Sequence, residues 1–458
     1  MAIAGEMTAL EVADRFAAQL NGVDYQVIED LRRPSVNTDL APIEYGEYHA
    51  PVMLAHCGSE GDIIKGGGRA WTYATLEASK ASVGALGYGM DAKITYCDIT
   101  DQTTGRPIRG AKLLIARSMD GLNQTGRNEV AYQTERSLEG IMSPFGYIPA
   151  GDAGTNAAFC DALSVSYLTN HPEDKYGLAA VTGKSPTQGG LGPRSAATGR
   201  GGYAAHVAHT DVLIGEGVLE DRPQRVSMQG GGNVAAWHGN AISEDPNDRA
   251  RVQNIGEHDG VLYTDDPHGI EFTDRMIREV ADNPGFRGSK LEAYHHLIQL
   301  NQPGLKLHYT PDAEAIYARP ADAFVTAAVG TLLVAKRIKS LHEAGVRNIE
   351  EEGNTATSQA GQEAADALGI RINPDIAVNN GGVWMSLKER EVNIAMADGT
   401  LTMPPSDEVL NAELTDFMAS SNHTTMKIAR QYNVSARVAA CIVSQRNLLK
   451  HAGVAVTI

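Results

Sequence analysis

Cysteine is scarce in this chain: Cys57, Cys97, Cys160 and Cys441 are the only four, far apart and without CxxC spacing. That argues against a disulfide framework and a structural zinc, and a reducing, cytoplasmic compartment is the expectation. Positive charge is also short. Against 56 Asp and Glu stand 39 Lys and Arg, a formal net charge of −17, with no basic cluster. No nucleic-acid or membrane partner is expected from such a balance. The longest apolar stretch, Ala321 to Ala335, is interrupted by Asp322, Thr326 and Gly330 and is too short to span a bilayer. It reads as a buried strand running into a helix. The opening MAIAGEMTALEVADRFAAQL carries Glu6, Glu11 and Asp14 where a secretory signal needs a positive start and an apolar run. Instead, Leu10, Ala13, Phe16, Ala17 and Leu20 recur at helical spacing after Thr8, a candidate N-cap. HExxH, P-loop and GxSxG motifs are missing, so metalloprotease, phosphate-hydrolase and serine-hydrolase chemistry has no support. His206 and His209 share a helical face without a further ligand at metal spacing, and His295-His296 reads as helix surface. No metal site is expected.

What is present suits an enzyme of two domains, since 458 residues exceed one ordinary core and a hydrophobic content of 42% can fill two. Up to about residue 192 the chain alternates helical and strand patterns. Ala92 to Asp98 and Lys112 to Ala116 read as neighbouring strands, separated by a turn-rich stretch from Asp101 to Pro107. From 193 to 420, strand candidates at Val226–Gln229, Val252–Ile255, Ala323–Val325, Asn348–Ile349 and Ile376–Asn379 are spaced by helices. That alternation predicts a parallel, doubly wound sheet. The segment 421–458 reads as helical.

Two segments carry the strongest signal. Val181 to Ala205, VTGKSPTQGGLGPRSAATGRGGYAA, is a Gly/Ser/Thr-rich connector ending in the small-residue helix start Ala197-Thr198-Gly199-Arg200-Gly201. Arg225 to Ala235, RVSMQGGGNVA, reads as a buried strand, a glycine turn and a helix, the opening of a dinucleotide-binding unit. In such a turn Gly230 permits the bend, Gly232 lets backbone amides approach the pyrophosphate, and Ala235 allows close packing of helix on strand. Glu257 ends the next strand candidate, where an acid accepts both ribose hydroxyls and repels a 2′-phosphate, which favours NAD. Its separation from Gly232 exceeds the usual spacing, an excess ascribed to a longer loop at Ser243 to Asn247.

Taken in order, the connector, the ATGRG helix and the GGGNVA turn resemble the glutamate/leucine/phenylalanine/valine dehydrogenases. That resemblance implies an α/β subunit of two domains: an N-terminal substrate and oligomerisation domain, 1–192, and a Rossmann-type NAD domain, 193–420. Helices 421–458 pack back on the first domain, and the active site occupies the cleft between the two. It implies NAD as cofactor, an amino acid, 2-oxo acid and ammonium as small-molecule partners, and a homo-oligomer, with a hexamer favoured. On the cofactor side it assigns Gly230, Gly231, Gly232, Asn233, Val234 and Glu257, with Arg194 and Thr198 from the connector. Asn354 falls in a segment similar to EGANxPTT and Asn379 in one similar to PDxxxNAGGV. Thr326 replaces the proline of the family's PAA segment, whose next residue here is Ala327.

On the substrate side, Tyr147 to Thr155, YIPAGDAGT, resembles VPAGDIGT and assigns Asp152 as proton carrier. Arg109-Gly110-Ala111-Lys112 is similar to GGAK and assigns Lys112 as general base, a buried lysine of lowered pKa that activates water. Lys93, after GMDA, stands where EMTYK places the lysine for the α-carboxylate. Lys65 in KGGGR resembles the KGGLR lysine that neutralises a distal carboxylate, and Ser386, with Val383 nearby, matches the position that helps hold it. Leucine and phenylalanine enzymes are apolar at the Lys65 and Ser386 positions, so glutamate is the expected substrate, by reversible oxidative deamination. Departures remain: Ile63-Ile64 for Pro-Tyr, Arg109 for glycine, and Trp384 near the pocket. Arg109 could lower the pKa of Lys112 or hold a further anion. Two alternatives stay open: an NAD-dependent dehydrogenase of another amino acid, and an impaired regulatory homologue that binds nucleotide without turnover.

Overall fold

The computed structural model describes residues 9–59, 61–281, 283, 286 and 288–454. The chain divides into two compact units. The first comprises Ala18–Arg194, Val383–Leu410 and the chain from Val443 onward; the second comprises the segment ending at Ala17, Ser195–Gly382 and Asn411–Ile442. The chain's return to the first unit begins at Val443, inside the helix Ala436–His451, while residues 411–442 group with the second.

The first unit holds β1 (Ser35–Asn37), β2 (Ile43–Tyr45), β3 (Tyr48–Ala50), β4 (Val52–His56), β5 (Ile63–Ala70), β6 (Ile108–Ile115) and β7 (Tyr147–Gly151). β2 and β3 pair with each other, and the rest form one sheet in the order β1-β4-β6-β5-β7. β5, β6 and β7 are parallel, and β4 runs antiparallel to both its neighbours. All eight residues of β6 are buried, as in a strand covered on both faces. Arg109 and Lys112 are three apart on it and so point to opposite faces. Gly66 lets β5 and β6 close up, since a Cβ there would lie 1.6 Å from the Ala111 carbonyl oxygen.

The stretch 92–98 is not a strand. It forms the last turn and cap of a helix, Leu76–Tyr96, started by Thr75, whose side chain accepts from the Ala78 amide. Ile94, Thr95 and Tyr96 favour strands locally, but this helix packs along β6 and tertiary packing overrides that preference. The N-terminal helix, Ala9–Leu20, buries Leu10, Ala13 and Ala17 but leaves Phe16 exposed; Thr8 lies outside the described residues.

In the second unit β8 (Gln224–Gln229), β9 (Ala250–Glu257), β10 (Gly260–Thr264), β11 (Leu307–Thr310), β12 (Ala323–Thr326), β13 (Asn348–Glu351) and β14 (Arg371–Asn373) make one sheet. Its order is β11-β10-β9-β8-β12-β13-β14. The five strands from β9 to β14 across β8 are parallel, and β10 and β11 form an antiparallel edge. The order reverses between β8 and β12, which opens the crevice of a doubly wound sheet at their carboxyl ends. The expected strand at Ile376–Asn379 is instead a one-turn helix, Asp375–Val378, after β14. A short buried apolar run has no periodicity to separate the two states, and here Pro374 occupies the N-cap. Among the described residues no helix is long and apolar enough to cross a membrane.

Candidate functional site

In the first unit, parallel β5, β6 and β7 bring Arg69, Lys112 and Asp152 together. Lys112 Nζ stands 2.7 Å from Asp152 Oδ2, and Arg69 Nε donates to the same oxygen at 2.8 Å. Asp152 follows directly on β7, and its amide donates to Thr155 Oγ1 (2.8 Å), which donates to the Gly68 carbonyl (2.8 Å). Gly67 leaves room for the acid: a Cβ there would lie 2.9 Å from the Asp152 Cβ. Burial alone would raise the Asp152 pKa, but Lys112 and Arg69 hold it well below the usual carboxylate range. Burial pulls Lys112 below an ordinary lysine; Asp152 opposes this and Arg69 adds to it. A fixed carboxylate beside a lysine biased toward neutrality can carry protons in both directions.

Arg109 takes no part in this. It reaches to the other side of β6 and grips Asp91, Nε to Oδ1 at 2.8 Å and Nη2 to Oδ2 at 3.0 Å. Arg32, fully buried, stands 3.7 Å from the same carboxylate. The cation beside Lys112 is therefore Arg69, which the KGGGR motif displayed but to which the sequence reading gave no role. Lys93 lies buried in the last turn of the helix Leu76–Tyr96 that packs on β6.

Lys65 and Ser386 are joined through a residue the sequence did not single out. Lys65 Nζ donates to Thr182 Oγ1 at 2.5 Å, and Thr182 Oγ1 lies 2.7 Å from Ser386 Oγ. All three are buried. Thr182 is fixed by its neighbour two residues on, since Lys184 pairs with Glu389 at 2.8 Å with both side chains fully buried. Glu389 also accepts from the Gly183 amide at 2.9 Å. Burial pulls the Lys65 pKa down to about 7; Glu389 opposes this, and Arg194, Arg390 and Lys184 add to it. Arg390 is itself matched by Asp101 at 2.7 Å, so the turn 101–106 anchors on the helix Gly381–Ala397. Arg194 Nε has no hydrogen-bond partner among the described residues. Among the described residues the unmatched charge around Lys65 is thus positive. Val383 packs, partly buried, against the cluster formed by Ile63, Ile94, Ile108, Ile148 and Leu387.

In the second unit Gly230 directly follows β8 with φ +108°, and a Cβ there would lie 2.8 Å from the carbonyl oxygen of Ala327, which follows β12. Gly232 caps the helix Asn233–Glu244, so Asn233 and Val234 form its first turn. Thr198 is the second residue of the helix Ala197–Gly215. Gly199 sets that helix against the next, because a Cβ would lie 2.3 Å from the Val234 carbonyl oxygen. Glu257 ends β9 with Oε1 accepting from the Gly231 amide at 2.5 Å. Lys290 Nζ stands 3.8 Å from the same oxygen, a cation no sequence motif announced. Asn379 Nδ2 donates to Asn354 Oδ1 (2.9 Å) and to the Glu352 carbonyl (3.1 Å). This tight, amide-rich turn with an acid at the neighbouring strand end fits a dinucleotide's pyrophosphate and ribose. His206 and His209 pair with His238 and Glu350, and no group of three or more metal-binding side chains occurs among the described residues.

Comparison with known proteins agrees with this architecture. The Glutamate/Leucine/Phenylalanine/Valine dehydrogenase family model matches residues 189–453, more than half of the chain. A glutamate dehydrogenase of Thermotoga maritima is 26% identical over 436 residues, covering 93% of this chain and 92% of that protein. Among solved structures, Plasmodium falciparum glutamate dehydrogenase superposes with a TM-score of 0.77 at 18% identity, covering 97% of this chain and 88% of the other. The hetero-hexameric enzyme of Thermus thermophilus, in a leucine-bound form, gives 0.77 at 20% identity, covering 98% and 97%. The chain belongs to the Glutamate/Leucine/Phenylalanine/Valine dehydrogenase family. It is, at that level, an amino acid dehydrogenase that uses a nicotinamide dinucleotide.

Proposed function

We propose that the protein catalyses the NAD-dependent, reversible oxidative deamination of L-glutamate to 2-oxoglutarate and ammonium. The observation that carries the substrate is buried Lys65, hydrogen-bonded to Thr182 and through it to Ser386, in surroundings whose unmatched charge is positive. A buried lysine with no anionic partner is costly, and the distal carboxylate of a dicarboxylic amino acid supplies the missing charge. Val383 lines the aliphatic part of the pocket, and Lys93 holds the α-carboxylate. Thr198, Asn354 and Asn379 serve the nicotinamide half of the cofactor, Gly230 to Val234 the pyrophosphate with Ala327 beside Gly230, and Glu257 the ribose. Arg194, expected at the nicotinamide, also contributes to the field on Lys65.

When bound, the nicotinamide dinucleotide would supply the acceptor for the hydride of Cα. The chain's own groups handle protons. Asp152, ionised, takes one from the α-ammonium and leaves the amine from which hydride can depart. Neutral Lys112 removes a proton from the water that adds to the iminium carbon. Asp152 returns its proton to the amine nitrogen, the C–N bond breaks as ammonia leaves, and the hydroxyl proton passes back to Asp152 as the 2-oxo acid forms. Glu257 disfavours a 2′-phosphate, which supports NAD; Lys290 beside it favours some tolerance of NADP. A homo-hexamer accords with the family and with the hexameric Thermus relative.

Two variants test the reading. Lys112→Ala should abolish turnover while NADH still binds; retained turnover removes the base. Lys65→Leu should shift preference from 2-oxoglutarate toward apolar oxo acids, and an unchanged preference sinks the pocket assignment.

A further inference from the structure

A polar chain the proposed chemistry does not use runs through the core of the second unit. The helix Ala197–Gly215 presents Thr198, Gly202, His206 and His209 along one face. Gly202 is required there: a Cβ would lie 1.8 Å from Glu352 Oε1. Glu352 follows β13, and its side chain is fully buried. Its Oε1 stands 2.7 Å from His238 Nδ1, and its Oε2 has no hydrogen-bond partner among the described residues. His238 Nε2 in turn lies 3.3 Å from His206 Nδ1, the two rings stacked at 5.4 Å, and His206 Nε2 has no hydrogen-bond partner among the described residues. Tyr203 packs edge-on against both rings, its hydroxyl on Asp245. On the far side Glu350 pairs with His209 at 2.9 Å and accepts from Asn373 at 2.7 Å. The carbonyl of Glu352 is the one that accepts from Asn379, the residue that also holds Asn354.

The groups facing Glu352 are therefore an imidazole and, nearby, a second carboxylate matched to its own histidine. Among the described residues no Lys or Arg pairs with it. A bare carboxylate in that position has no stabilising charge, so the proton stays on the chain. Burial and Glu350 both act in that direction on Glu352, and burial keeps His206 and His238 neutral, at about 4 each, against the opposing pull of Glu350. A neutral acid, two neutral imidazoles and their hydrogen bonds form a connected string with no net charge.

We propose that Glu352 acts as a neutral acid whose hydrogen bond to His238, backed by His206, is a positioning element holding the Glu352–Asn354 loop where Asn354 and Asn379 meet the nicotinamide half of the cofactor. This rests on the cofactor reading above. Gln reproduces the shape and hydrogen bonding of a neutral acid and Leu does not, so the two substitutions at 352 separate charge from geometry.

The experiment measures NADH dissociation constants by fluorescence for the native chain, Glu352→Gln, Glu352→Leu and His238→Phe, with infrared spectra of native and Glu352→Gln. Glu352→Gln should bind like the native chain, while Glu352→Leu and His238→Phe weaken binding about 5- to 10-fold, the loss of one buried hydrogen bond. The infrared difference should contain the carbonyl stretch of a protonated carboxyl at neutral pH. Gln as damaging as Leu, three variants all equal to native, or no such band would each overturn the proposal. Should the Leu and Phe variants fail to fold, the Gln comparison and the infrared band decide alone. Failure of the native chain to bind NADH would instead overturn the cofactor reading, and this element's role with it.

Discussion

Replacing Arg69 by Met tests the proton-handling group at its least obvious member. Arg69 and Lys112 both contact Asp152 Oδ2, at 2.8 and 2.7 Å, so their cationic nitrogens lie at most about 5.5 Å apart. Two unit charges at that separation repel by about 3 kcal/mol at an effective dielectric of 20. Arg69 disfavours the protonated form of Lys112 by about that amount. Removing the guanidinium also leaves Asp152 to Lys112 alone. Both changes raise the lysine's pKa, so less of it is the neutral base at a given pH. The kcat/KM profile should move to higher pH, with a loss of about 10- to 100-fold at neutral pH that shrinks as pH rises. The assay is initial rate against pH in the deamination direction, for Arg69→Met and native protein. An unshifted profile, or a uniform loss at every pH, would refute the electrostatic role and leave Arg69 as packing.

Lys65 gives a second pH effect of definite sign. Its pKa of about 7 means the empty pocket loses the lysine charge above neutrality, so KM for 2-oxoglutarate should rise up to about tenfold per pH unit there; Lys65→Met should flatten that dependence at a high KM. Glu257→Ser should raise NADPH use relative to NADH, because the acid that repels a 2′-phosphate is gone while Lys290 remains; an unchanged ratio would remove Glu257 from cofactor choice. Lys184→Met should destabilise the fold by about 3–5 kcal/mol, since it strands a fully buried Glu389. Lys184→Met/Glu389→Leu should recover most of that in thermal melts, whereas a double variant as unstable as the single would contradict the argument.

The sequence displayed what is written in backbone requirements. Gly230 and Gly199 mark places where a side chain cannot fit, and the parallel strands around them read correctly from their spacing. It was silent where contacts join residues distant along the chain. Thr182 lies 117 residues from Lys65 and 204 from Ser386, and only the fold makes it the link between them. Arg69 was visible in its motif, but its target became apparent only when β5 and β7 were seen side by side. Arg109 misled because its face of β6 was not considered: three residues along a strand reverse the direction of a side chain. The segments 92–98 and 376–379 misled for another reason, since short runs of Ile, Thr, Tyr and Val carry no period that tells a strand from the end of a buried helix.

The most direct test of the central claim is NADH consumption with ammonium across a panel of 2-oxo acids, 2-oxoglutarate beside apolar and aromatic ones, repeated with NADPH. Selective turnover of 2-oxoglutarate with NADH is the predicted result, and it would support Lys65, Ser386 and Glu257 together. Preference for an apolar or aromatic oxo acid would contradict the pocket assignment while leaving the Lys112–Asp152 chemistry in place. NADH binding without turnover of any oxo acid would contradict the enzyme itself.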